Sequence, residues 1–381
     1  MPNFFTNQLN PPMNWYQIAN EAEVDSPALL VYPQRIRHNL ERMIAQVGGD
    51  PARLMPHVKT HKMREVMRMQ LEAGIRRFKC ATIAELQMCL EAGASTVLMA
   101  YQLTGPKVGR FLRLARQFPH AQLASLVDDA GAARQLAEEA AAAGLKARIY
   151  LDVNNGQNRT GHPLDERIFP FYQQLAAMPG LELLGLHVYD GHIRQADVGA
   201  RQQASHAAFE PVYALLEQIR AAGLPQPEVI AGGSPAFSAA AMRPGVVCSP
   251  GTTLLWDAGY DAMVPELGLQ CAAVLMTRVI SKPAPGLITT DLGHKSVASE
   301  NALNNRLRLL NLTDYEPVGQ SEEHLVLKVA KWEAINIGEV LYGLPFHVCP
   351  TVALYGRAHV VEKGECHGHW EVYARNRVLS G

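Results

Sequence analysis

From residue 27 to residue 231 the chain repeats one pattern, a short apolar run followed by a stretch with helical period. Pro27-Ala-Leu-Leu-Val-Tyr-Pro33 predicts a short buried strand. Ile36, Leu40, Met43, Ile44 and Val47 then mark one face of a helix that Gly48-Gly49 ends. Further strands are expected over 54–61, 77–81, 96–101, 122–127, 147–153, 181–189 and 228–231. Helices are expected between them over 63–73, 83–92, 108–118, 130–143, 169–178 and 202–222, each stopped by Gly or Pro. Strict alternation of this kind, with β-branched strands buried on both faces, implies a parallel sheet. About eight units suit an α/β fold of the (β/α)8 TIM-barrel type better than an open doubly wound sheet.

The rhythm changes past about residue 265. Short strands are expected over 272–280, 286–291, 325–329, 339–342, 347–354, 358–361 and 370–374, with little helical period. The expected organisation is an N-terminal arm over 1–25 that can join the second domain, a barrel over 26–264 and an all-β domain over 265–381. Composition narrows the functional classes. Of 381 residues 48% are hydrophobic and 19% charged, and the formal net charge is −1. An ordinary globular chain of balanced charge gives no reason to expect nucleic acid or a membrane surface as partner. The N-terminus lacks a basic segment before an apolar core, and no apolar run reaches the length of a membrane span. Scattered cysteines without a CxxC fit cytoplasmic thiols, one of them a candidate ligand.

Candidate chemistry collects at the expected C-terminal ends of the strands, where sites of this fold lie. Pro56-His57-Val58-Lys59-Thr60-His61-Lys62 leads. On an extended segment His57, Lys59 and His61 share a face. If that face looks into a pocket, desolvation and nearby positive charge disfavour the ammonium, and such a lysine can capture an aldehyde as a Schiff base. The alternative is a basic strand end on the surface. Asp152-Val-Asn-Asn-Gly-Gln-Asn-Arg159-Thr-Gly161 and His187-Val-Tyr189-Asp190-Gly191-His192 end two further strands. Gly232-Gly233-Ser234 and Ser249-Pro250-Gly251-Thr252-Thr253 are small-residue turns whose N–H groups can hold an anion. A lysine for an aldehyde, donors for a phosphate, and Arg159 or Tyr189 for a ring nitrogen together suggest pyridoxal 5′-phosphate. In Pro345-Phe346-His347-Val348-Cys349-Pro350-Thr351, imidazole and thiolate would share a strand face and meet one metal, zinc before manganese on softness. The competing reading is a buried His and a buried Cys. Cys366-His367-Gly368-His369, in a turn-like stretch, and His324 are rival ligands.

The lysine motif, the loop ending in Arg159-Thr-Gly161, Gly232-Gly-Ser234, Lys282-Pro-Ala-Pro285, Asp291-Leu-Gly-His-Lys-Ser296 and His347-Val-Cys-Pro-Thr351 resemble one family. It is the D-threonine aldolase and D-serine dehydratase group of fold type III pyridoxal enzymes, whose barrel is of the alanine racemase kind. The resemblance implies that Lys59 carries the cofactor and that His57, Arg159 and Tyr189 lie near it. It implies that Gly232, Gly233, Ser234, Gly251 and Thr252 hold the phosphate, and that His347 and Cys349 bind zinc or manganese. It further implies a homodimer in which the β-domain of one chain closes the barrel of the other. The expected reaction is cleavage of a D-configured β-hydroxy amino acid to glycine and an aldehyde, with His192 as a candidate acceptor for the hydroxyl proton. Dehydration of D-serine or D-3-hydroxyaspartate is the alternative, followed by an amino-acid racemase or a non-catalytic cofactor-binding protein. Resembled aldolases carry Asp where this chain has Cys349, as the dehydratases do, whereas Lys282–Lys295 and Pro350-Thr351 are more aldolase-like.

Overall fold

The computed structural model describes residues 14–377, so residues 1–13 of the expected arm lie outside the described residues. The chain enters through β1 (Ala28–Val31) and α1 (Pro33–Gln46). It continues through α2 (Arg64–Glu72), β2 (Arg77–Cys80), α3 (Ile83–Glu91), β3 (Thr96–Gln102), α4 (Pro106–Gln117), β4 (Gln122–Val127) and α5 (Ala130–Ala142). Next come β5 (Ala147–Asn154), the short β6 (His162–Pro163), α6 (Ile168–Ala177), β7 (Leu181–Val188), α7 (Val198–Ala221), β8 (Glu228–Ala231), α8 (Phe237–Ala241), β9 (Val246–Cys248) and α9 (Ala258–Met263). Side-chain caps start the helices where the sequence supplies them. Thr82, Asp129, Asp197 and Asp257 each accept from a backbone N–H of the helix that follows.

Strands β2-β3-β4-β5-β7-β8-β9 form one parallel sheet. Residues 54–57 close it into a barrel, because Leu54 bridges Cys248 of β9 and His57 bridges Lys79 of β2, both in parallel. Met55 N–H donates to Cys248 O at 2.8 Å and Val58 N–H to Lys79 O at 2.9 Å. Inside the barrel Met55, Leu98, Ala124, Leu126, Tyr150, Ile230 and Val247 form a buried plug of their own, apart from the larger core under the helices. The α/β barrel is therefore as expected, with one exchange among its strands. The run 28–31, expected to open the barrel, lies in the second sheet, and 246–248, not expected as a strand, takes the eighth place. Four apolar residues buried on both faces carry no signal of which sheet they join, and a three-residue strand is too short to show a period.

The second, mostly β domain contains β10 (Ala273–Ala284), β11 (Leu287–Thr290), β12 (Leu307–Leu309), β13 (Tyr315–Gln320), β14 (Leu325–Val329), β15 (Val340–Pro345), α10 (Val348–Leu354), β16 (Arg357–Glu362) and β17 (Glu365–Glu371). Its order is β13-β14-β11-β10-β1-β16-β17, with β15 paired to β10 and β12 to β15. The expected strand over 347–354 is thus α10, with Pro350 in its first turn, where its missing N–H costs nothing. Cys366–His369 belongs to strand β17 rather than to a turn. The described end of the arm packs on this domain: Ala19 N–H donates to Gly364 O at 2.8 Å and Tyr342 Oη to Glu21 Oε2 at 2.8 Å. Among the described residues no helix is long and apolar enough to cross a membrane.

Candidate active site

A cavity of about 790 Å³ opens at the C-terminal ends of the barrel strands, and four lysines line it. Lys59 stands on a turn over 58–61, closed by Lys62 N–H donating to Val58 O at 3.0 Å, and not on an extended strand. The two histidines expected on its face therefore separate. His57 lines the cavity, and its Nδ1 accepts from Lys59 N–H at 3.2 Å. Burial, then the charges of Lys59 and Lys79, hold its imidazole well below the ordinary range. His61 turns into the core against Gln70, where burial lowers its pKa to about 3. The other three lysines are engaged, Lys107 over the ring of Tyr101 at 4.7 Å from its centre. Lys62 pairs with the buried Glu85, and Lys79 donates to Ser249 Oγ at 2.7 Å. Lys59, half-buried, has neither kind of partner on its ammonium among the described residues.

Across the cavity two turns meet. The N–H groups of Gly251 and Thr252 converge on Ser234 Oγ at 3.2 and 3.0 Å, and all three residues line the cavity. Two backbone donors and a hydroxyl aimed at one point fit a phosphate group. Gly233 also lines the cavity, but its N–H is given to Asp190 Oδ1 at 2.8 Å. Asp190 is buried, which raises its carboxyl pKa. Gly233 and Gly191 admit the ring of Tyr189 between them, since a Cβ would stand 3.0 Å from a ring carbon at Gly233 and 2.4 Å from Oη at Gly191. Gly232 is away from the cavity lining, and a Cβ there would stand 2.5 Å from Ala240 Cβ, so it lets α8 approach. Arg159 is exposed and does not line the cavity; its guanidinium lies 4.8 Å from the centre of the Tyr189 ring. His192 is also exposed, beside Gly156, at the rim rather than in the lining.

His347 and Cys349 reach the same cavity from the second domain. They meet because a helix begins between them. Asp257 accepts the N–H of Val348 at 3.0 Å on one oxygen and that of Tyr260 at 2.9 Å on the other, fixing the start of α10 against α9. His347 Nδ1 contacts Glu300 Oε1 at 2.5 Å, which leaves Nε2 as the free nitrogen, and the Cys349 thiol stands beside the imidazole. Burial opposes charge on both groups, yet their mutual contact prevails. His347 is raised to about 9 and Cys349 falls below the ordinary thiol value, with Lys59 adding to the second shift. Cys349 Sγ also lies 3.0 Å from Thr60 Oγ1 and 3.5 Å from Thr252 Oγ1. An imidazole oriented by a carboxylate beside a thiol inclined to ionise fits a divalent ion with open positions. Among the described residues no group of three or more His, Cys, Asp or Glu is placed to hold one metal ion. His324 and Cys366–His369 do not line the cavity.

One linkage escaped the sequence reading, which has Asp152, His187 and Ser249 as the heads of three candidate loops but neither Lys79 nor the bonds that join them. Asp152 Oδ1 accepts from His187 Nδ1 at 2.7 Å, His187 Nε2 lies 3.4 Å from Lys79 Nζ, and Lys79 continues to Ser249. All four are buried. The available signal was a lysine inside the four-residue strand Arg-Phe-Lys-Cys, where an inward position of a barrel normally carries an apolar side chain.

Comparison with known proteins places this geometry. The family model described as alanine racemase, N-terminal domain, matches residues 31–256, and a serine dehydratase domain model matches residues 272–361. The D-threonine aldolase of an Arthrobacter species is 30% identical over 365 residues, covering 93% of both chains. The D-threo-3-hydroxyaspartate dehydratase of Delftia sp. strain HT23 is 24% identical, covering 87% of this chain and 93% of its own. Among solved structures, D-threonine aldolase from Filomicrobium marinum superposes with a TM-score of 0.85 at 25% identity, covering 97% of this chain and 100% of its own.

Proposed function

The chain belongs to the alanine racemase N-terminal domain family, with a serine dehydratase domain behind the barrel, and on that premise we propose a lyase that cleaves D-configured β-hydroxy amino acids to glycine and an aldehyde. The family implies pyridoxal 5′-phosphate. The observation that carries the reading is the pairing, in one cavity, of an unengaged Lys59 with the His347–Cys349 couple. Lys59 Nζ holds the aldehyde carbon of the cofactor, and the Ser234 hydroxyl with the N–H groups of Gly251 and Thr252 holds its phosphate. Bound there, the cofactor supplies an electron sink for the bond broken at Cα. His347 Nε2 and Cys349 Sγ hold a divalent ion, zinc or manganese, whose chemistry is to polarise a hydroxyl group. Tyr189, wedged between Gly191 and Gly233, forms a fixed wall that excludes water from one side. The hydroxyl proton leaves toward the rim, where His192 stands.

Elimination to a 2-oxo acid and ammonia is the second reading. It is favoured by the thiol at position 349, where the resembled aldolases carry a carboxylate, and by the dehydratase among the relatives. In that case Lys59 Nζ would be the base that takes the Cα proton. Product analysis with D-threonine, D-serine and D-3-hydroxyaspartate, with pyridoxal phosphate and zinc or manganese, decides. Glycine with the matching aldehyde is the expected result, and 2-oxo acid with ammonia would establish elimination. Lys59→Ala should lose both turnover and the visible cofactor band, and a variant that keeps both removes Lys59 from its role. His347→Ala should keep the band and lose turnover, and unchanged turnover would sink the metal assignment.

A further inference from the structure

The barrel carries a buried lysine that the reaction above does not use. Lys79 is 2% exposed and lies 5.4 Å from the centre of the Tyr189 ring, and among the described residues it has no carboxylate in contact. Its neighbours leave it two hydrogen-bond partners, and an amine has two hydrogens to give whether or not it is charged. Asp152 is an acceptor, so His187 Nδ1 carries the proton shared with it, and neutral His187 then offers only a lone pair at Nε2. Burial, then the charge of Lys79, disfavours a second proton on that imidazole. Lys79 Nζ therefore donates to His187 and donates again to Ser249 Oγ at 2.7 Å. A hydroxyl that accepts from an amine keeps its single O–H to give elsewhere. Among the described residues its one other acceptor is Ala231 O, at 3.5 Å the longest and weakest contact of the run. Ser249 lines the cavity, so the run of hydrogen bonds from Asp152 ends in a donor that faces the ligand.

In pyridoxal phosphate the aldehyde and the phosphate arm sit on adjacent ring carbons, and the ring nitrogen lies across the ring from the aldehyde. Lys59 and the Ser234–Gly251–Thr252 turn fix the first two. Lys79 and Ser249 line the same cavity as those two anchors, and a cofactor held at both would have its third edge left for them. We propose that Lys79 is a positioning residue that, through Ser249, presents a hydroxyl donor to the cofactor's ring nitrogen and so keeps that nitrogen unprotonated. A nitrogen that accepts a hydrogen bond cannot also carry a proton at that position. Arg159, exposed and off the cavity lining, does not take this part.

The inference rests on cofactor binding but not on which reaction follows, and the test separates the two. The visible absorption of the protein loaded with pyridoxal phosphate reports binding first, and a protein that takes up no cofactor overturns the inference. With ring-¹⁵N-labelled cofactor, the wild-type signal at neutral pH should lie at the unprotonated position and move toward the protonated one in Lys79→Met. A protonated signal in the wild type, or no movement in the variant, overturns the proposal, whatever the products of turnover are. Should Lys79→Met fail to fold, Ser249→Ala and an analogue with carbon in place of the ring nitrogen give the answer by binding alone. Affinity for pyridoxal phosphate should fall about ten-fold in Ser249→Ala, the worth of one buried hydrogen bond, while affinity for the analogue stays level. Equal losses for both ligands would show that Ser249 does not touch the nitrogen.

Discussion

Two polar networks occupy the inside of the barrel, and they differ in how they end. At the N-terminal end Arg77 of β2 pairs with Glu228 of β8, and Tyr150 Oη donates to the same carboxylate at 2.7 Å. Acid and base are matched there, and burial, then Glu228, pushes the Tyr150 phenol up. At the C-terminal end Asp152, His187, Lys79 and Ser249 run from an acceptor to a donor, and the last hydrogen is left for something outside the protein. The plug built around Met55, Leu98 and Ile230 separates the two. A closed network can contribute to stability, whereas a buried amine without a carboxylate in contact costs it. The same barrel thus spends its polar groups on holding together at one end and on presenting a ligand site at the other.

Mutations that attack each part should sharpen this contrast. Ile230→Ala opens a hole in the plug and should cost about 3 kcal/mol in urea unfolding, with the cofactor band retained. Loss of the band would show that the plug also sets the site. Glu228→Ala leaves Arg77 and Tyr150 unpartnered at a position partly open to solvent, and should cost about 2 kcal/mol. The band should again persist, and its loss would mean that the two ends are coupled. Lys79→Met should act in the opposite sense on the cofactor-free protein. Burial, then the charge of Lys59, lowers the Lys79 pKa from 10.5 to about 7. Between those values the unfolded chain binds a proton that the folded chain lacks, so wild-type stability rises with pH through that window. The advantage of Lys79→Met over wild type should shrink by about 1.4 kcal/mol per pH unit there, and a gap constant with pH would show that Lys79 keeps its proton. Arg159→Ala should change stability by no more than about 0.5 kcal/mol and leave the band in place, as for an exposed side chain.

The strand and helix rhythm made the barrel legible because parallel strands covered on both faces must be continuous apolar runs. The site was legible where the chemistry is written in one short stretch. Lys59, Ser234, Gly251, Thr252, His347 and Cys349 are all brought to one cavity. What failed was local geometry. Lys59 sits on a turn, so the face-sharing expected of His57 and His61 does not hold. His347 and Cys349 meet across a helix start set by Asp257, a residue 90 positions away from His347 in sequence (347 − 257) that no local period could reveal. Arg159 and His192 remain near Tyr189 and Gly156 but outside the lining, since loops carry no pattern that aims a side chain. The Asp152–His187–Lys79–Ser249 run joins four different strands or strand ends, and nothing in the three loops headed by Asp152, His187 and Ser249 shows that Lys79 links them.

Strand β1 has a consequence for how the protein is made. Leu30 pairs with Val274 on one side and His359 on the other, although the whole barrel lies between them in sequence. On the ribosome β1 emerges long before either neighbour exists, and its apolar backbone edges must wait through synthesis of every barrel strand. Closing a loop of that length is slow, and an unpaired apolar strand is exposed to wrong partners meanwhile. Folding therefore cannot finish domain by domain from the N-terminus. A strand translated ahead of the barrel is sealed only after it, and truncation near residue 360 should leave a barrel carrying an orphaned edge rather than a tidy half-protein.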